Sequence, residues 1–138
     1  MFRKAVALLA ALVLLSGCSE VKTSDAQEAY CYWAGTRYWP GSQSPADMEV
    51  LAGQYWRSPH FTLEHEVFLK LKPTKEWWDA FVEQNGLVKN DTPWVTPKNL
   101  PDWFQPSEKS IRYHRPNYSA RSFHDPETGI VYIYELIL

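Results

Sequence analysis

The chain has 138 residues, and 14 Lys and Arg against 16 Asp and Glu leave a formal charge of −2 at neutral pH. That balance excludes a protein that coats nucleic acid or an anionic bilayer by charge alone. Seven Trp, eight Tyr and six Phe point to a core built from large rings, each able to bury roughly 150–250 Å².

The first segment carries the strongest signal. Arg3 and Lys4 give a basic start, Ala5 to Leu15 is uninterrupted apolar sequence, and Leu15-Ser16-Gly17-Cys18 follows. An apolar run of this length is too short to cross roughly 30 Å of hydrocarbon but fits the core of a secretory signal. The Leu-Ser-Gly-Cys ending resembles the lipobox of bacterial lipoproteins, over residues 1–18 only. That resemblance implies cleavage before Cys18, acyl chains on Cys18 and a membrane anchor. Ser19, standing where an aspartate would favour the inner membrane, implies an outer-membrane lipoprotein facing the periplasm. The expected organisation is a signal peptide over 1–17, a lipidated tether over 18–24 and one globular α+β domain over 25–138. With residues 1–17 removed, 121 residues remain; the removed segment holds two basic residues and no acidic ones, so the mature charge is −4.

Ser24-Asp25-Ala26-Gln27 has the form of a capping box, and Ala26, Ala29, Tyr30 and Trp33 recur at helical spacing as far as Gly35, predicting a short helix, although Tyr30 to Trp33 would also suit a strand. A turn is expected at Tyr38–Gln43. Ser44 before Pro45 reads as an N-cap followed by proline at the first helical position. With Met48, Leu51, Ala52 and Tyr55 on one face, it predicts a second helix over 45–55. Phe61 to Leu71 alternates strictly, His65, Val67, Leu69 and Leu71 against Glu64, Glu66 and Lys70, and predicts a half-buried strand with Phe68 alone on the polar side.

Thr74 is the expected N-cap of the clearest helix, whose stripe is Trp77, Trp78, Phe81 and Val82. Gly86 is placed to end it and to fold Leu87 back on Val82. Pro93, Pro97, Pro101 and Pro106 prevent a regular element between Asn90 and Pro106. Strands are expected at 111–115, 119–124 and 130–138, the last two joined by Asp125-Pro126-Glu127-Thr128-Gly129. The last strand is apolar on both faces, which suits a central strand covered on both sides. The fold class is therefore α+β, an antiparallel sheet of three or four strands packed against two or three helices.

No nucleophile elbow, phosphate-cradling loop or paired-cysteine motif is present, and no cofactor is implied. His60-Phe61-Thr62-Leu63-Glu64-His65 has one residue too many for a zinc-helix signature, so His65 reads as a core histidine rather than a ligand. With Cys18 assigned to lipid, Cys31 has no intramolecular partner. A buried, inert thiol is expected, an intermolecular disulfide being the alternative.

Two stretches stand out as candidate partner-binding surfaces. Arg112, His114, Arg115 and Arg121 are interleaved with Tyr113 and Tyr118, and guanidinium groups bind carboxylate or phosphate in bidentate fashion. The bland counterpart is a solvated sheet face. Trp94, Trp103 and Phe104 in the proline loop either roof the core or form an exposed aromatic patch that anchors a protein. The expected function is a membrane-anchored binding module with a protein partner in the envelope, of the kind that inhibits an envelope-targeting toxin. The alternatives are a small envelope hydrolase using His124 or His114, and a structural accessory of an envelope complex.

Overall fold

The structure, a computed structural model, describes residues 19–36, 48–60 and 64–138. The lipobox with Cys18, the turn at 38–43, the cap at Ser44–Pro45 and the start of the strand expected from Phe61 lie outside the described residues. The described elements run β1 (Val21–Thr23), α1 (Ala26–Thr36), β2 (Met48–Arg57), β3 (His65–Pro73), α2 (Lys75–Gln84), β4 (Val88–Lys89), β5 (Ile111–His114), β6 (Ser119–His124) and β7 (Val131–Ile137).

All seven strands join one antiparallel sheet in the order β1-β2-β3-β7-β6-β5-β4. The class is α+β as expected, with two helices among the described residues and more strands than the three or four read from sequence. β7 lies fourth of seven, and its two apolar faces are both covered. On one face Val131 and Ile133 pack with Val67, Leu69 and Leu71 beneath the aromatic faces of α1 and α2. On the other, Tyr132 and Tyr134 join Phe68, Phe123 and Phe104. Phe68 is therefore buried, because the face that β3 was expected to turn to solvent has a roof.

The helix expected over 45–55 is overturned. Residues 48–57 form a strand, not the end of a helix over 45–55. A register shift between Val50 and Ala52 breaks the alternation and leaves Leu51 exposed. Met48, Leu51, Ala52 and Tyr55 thus acquire helical spacing by accident. The tether expected over 18–24 is also partly structured: Val21, Lys22 and Thr23 pair with Arg57, Trp56 and Tyr55 as an edge strand.

The cap of α1 is Asp25 rather than Ser24. Its carboxylate accepts the Glu28 amide at 2.8 Å, while the Thr23 hydroxyl donates to the Glu28 carboxylate at 3.1 Å. α2 follows its signals closely. Thr74 accepts the Trp77 amide at 3.2 Å. At the other end Gly86, at φ 58°, lets the Leu87 amide donate to the Val82 carbonyl at 3.0 Å and its own amide to Glu83 at 3.1 Å, the paired bonds of a Schellman ending.

Candidate functional site

The proline loop is the roof. Trp94 packs on Phe123 at 5.3 Å and Tyr134 at 5.4 Å, and Phe104 sets its edge on Tyr132 at 5.1 Å and Phe68 at 5.7 Å. These are the separations and tilted geometries that aromatic quadrupoles favour. The tetrapeptide Pro101-Asp102-Trp103-Phe104 closes one turn, its last amide donating to the Pro101 carbonyl at 3.0 Å. Asn99 hydrogen-bonds the Glu66 carboxylate, and the Tyr134 hydroxyl donates to the same carboxylate at 3.2 Å. Burial, with the Glu66 charge adding to it, pushes the Tyr134 phenol up to about 12. Of the three aromatic candidates, Phe104 is buried and belongs to the core, whereas Trp94 and Trp103 are half-buried and keep an outward surface.

The basic stretch divides between the two faces. Tyr113 turns to the helical side and meets Trp78 edge-on at 5.4 Å, while Arg112, His114 and Arg121 share the roofed side, as the pairings of Arg112 with Phe123 and of His114 with Arg121 require. The β5–β6 turn fixes this register. Pro116 and Asn117 occupy its centre, Asn117 has φ 66°, and the Tyr118 amide donates to the Arg115 carbonyl at 3.2 Å, the residue pattern of a type II turn. Arg115 places its guanidinium carbon 4.0 Å above the Tyr118 ring.

Two clefts flank the Pro93–Trp94 ridge, so the two stretches that are separate in sequence converge here. One, of about 420 Å³, has Arg112 and Glu108 among its lining residues. The other, of about 390 Å³, is lined by Trp94, Val95, Tyr118, Arg121, Tyr134 and Leu136 with Pro93, Ser119 and Ala120. Its rim is apolar and open, Val95 being 89% and Tyr118 51% exposed. Val95, Tyr134 and Leu136 had no sequence signal as site residues, because only the β6–β7 register and the path of the loop bring them to Arg121. Arg112 is exposed beside its cleft, and Trp103 lies on the roof against Phe104 at 6.0 Å.

Of the two histidines of the hydrolase reading, His114 shares the roofed side with Arg121, and His124 is placed otherwise. His124 lies on the helical side, stacked on Trp78 at 4.9 Å, and burial lowers its pKa. Asp125 is engaged in its own hairpin, accepting the Glu127 amide at 2.9 Å; that bond foremost lowers its pKa. The polar pair that sequence reading missed is His65 with Glu135, Nε2 to Oε1 at 3.2 Å, both side chains buried. His65 is thus a bonded core histidine, stacked on Tyr55 at 5.9 Å. A glutamate in the otherwise apolar run Val131–Ile137 was the available signal. Cys31 corrects another expectation: it is exposed on α1.

Comparison with protein-family models, curated proteins and solved structures finds no match for this chain.

Proposed function

We propose that this chain is a membrane-anchored envelope lipoprotein that acts as a protein-binding module, of the immunity type that blocks a toxin arriving in the periplasm. The lipobox ending at Cys18 supports the anchor and the compartment. The observation that carries the binding role is the cleft beside Trp94, where Trp94, Tyr118 and Arg121 meet under an apolar rim. Trp, Tyr and Arg are the side chains that dominate binding energy at protein interfaces. They gather here on an acidic domain whose other large rings are mostly spent on its core. The placement of His124 and Asp125, one against Trp78 and the other inside its hairpin, argues against a hydrolase built on His124.

The test is crosslinking of the anchored protein in intact cells. A single protein recovered near one-to-one, and lost from a Trp94→Ala variant shown to remain folded at the assay temperature, is the expected outcome; recovery of nothing above background rejects the binding role. Metabolic labelling with a fatty acid tests the anchor, since Cys18→Ala must abolish incorporation.

A further inference from the structure

We infer that the cleft beside Trp94 is a carboxylate site, taking an aspartate or glutamate of the partner protein that is flanked by apolar residues. This deepens the binding role proposed above and rests on it.

Nη1 of Arg121 is buried, and no hydrogen-bond acceptor reaches it among the described residues; Nδ1 of His114, directly across the β5–β6 ladder, is likewise buried without a hydrogen-bond partner there. A guanidinium cannot shed its charge at any ordinary pH, and Arg121 is only half-buried in the lining of the cleft, so the edge of it left open there is where an acceptor can meet the charge. Cross-strand neighbours share a face at Cβ separations of about 4.5–5.5 Å. The two side chains therefore stand together, and neither of these nitrogens is hydrogen-bonded within the described residues.

The neighbouring cleft provides the contrast. There Arg112 has a carboxylate, Glu108, in the same lining. Among the described residues lining the Arg121 cleft there is no Asp or Glu. The second guanidinium, of Arg115, is held over the Tyr118 ring at the rim and adds to the positive potential there.

The walls decide what carries the anion. Trp94, Tyr134, Leu136 and Pro93 are apolar or aromatic, and Val95 and Tyr118 extend that surface outward. A small hydrated ion gains nothing from such walls, whereas a carboxylate on a peptide with apolar neighbours fills about 390 Å³ and can meet the Nε–Nη2 edge of Arg121, the one that does not involve the enclosed Nη1. Arg121 supplies the charge, while Trp94 and Tyr118 supply area and exclude water around the pair.

The experiment uses the full chain in detergent micelles, with arginine side chains and tryptophan indoles labelled for NMR. Acetyl-Leu-Asp-Leu-amide, its asparagine counterpart and inorganic phosphate serve as probes. The aspartyl peptide should shift the Arg121 Nε–H and Trp94 indole signals saturably, with a dissociation constant at least tenfold lower than either other probe. Arg121→Gln should reduce the aspartyl peptide to the level of the asparaginyl one, and Arg112→Gln should leave its binding unchanged. If Arg121→Gln does not fold, Arg121→Lys, which retains charge without the fork, should weaken binding several-fold. Equal response to the two peptides, or to phosphate, overturns the inference. The crosslinking experiment separates the two levels: a partner captured equally by wild type and Arg121→Gln rejects this site and leaves the binding role standing. Saturable peptide binding with no partner captured supports the site and rejects the binding role.

Discussion

A methyl group on Gly53 would sit 2.9 Å from the Cβ of Ala29 and 3.2 Å from the carbonyl oxygen of Ala26. β2 therefore lets α1 lie directly on its backbone at this point, and the bare Cα is what permits the approach. Gly53→Ala should destabilise the domain by about 1–3 kcal/mol, the range for overpacking a well-filled interior. Urea denaturation measures it. Combining it with Ala29→Gly should cost less than the two single changes added together, since the second removes the closest clash. Strict additivity would show that α1 simply shifts away.

That same glycine explains why β2 was hard to read. A strand announces itself by a period of two, but here the bulge between Val50 and Ala52 shifts the phase and Gly53 contributes no side chain to the pattern. β3 has neither interruption, and its alternation was legible from His65 onward. α2 was legible because Thr74 and Gly86 are chemically committed to ending a helix. β1 and β4, of three and two residues, join the sheet through backbone bonds at its edges and leave no pattern to find. The candidate site was half legible: Trp94 and Arg121 were each visible as binding residue types. Their meeting depends on strand register and on a loop folding back across the sheet, which no local spacing encodes.

Phe104 and Trp103 are adjacent, yet they should respond differently to truncation. Phe104 is 2% exposed and contacts rings from β3, β6 and β7, so Phe104→Ala should cost about 3–5 kcal/mol. Trp103 is half-buried at the roof's edge, and its loss should leave the domain folded with a smaller drop in the urea midpoint. Equal losses would make Trp103 a core residue and remove it from any docking surface.

The Tyr134 phenol should resist ionisation. Its pKa stands near 12 against 10.0 for a free tyrosine, chiefly through burial, so the fold favours the protonated form. That stabilisation is complete below the unfolded value and is lost as pH rises from 10.0 toward about 12. Absorbance at the phenolate band should therefore show a late titration step that Tyr134→Phe removes. If the step persists in that variant, another tyrosine carries it.

Cys31 should react in the native state. It is exposed on α1, so a maleimide should label one thiol per lipidated chain without denaturant, and Cys31→Ser should abolish labelling. Absence of labelling until the protein is unfolded would mean that α1 is covered by something in the intact chain.

The His65–Glu135 pair offers the strictest check on the helical side of the sheet. Its Nε2 and Oε1 atoms are 3.2 Å apart, on residues 6% and 2% exposed, so water cannot readily replace either partner. Removing one member of such a buried pair typically costs about 3–5 kcal/mol because the other is left short of a partner. His65→Leu and Glu135→Leu should each fall in that range. The double variant places two apolar side chains in contact across β3 and β7 and removes both polar groups, so it should be more stable than the sum of the single losses predicts. Chemical denaturation of the four proteins completes the cycle. A coupling energy near zero would show that the pair is incidental and that other contacts hold Glu135 in the core.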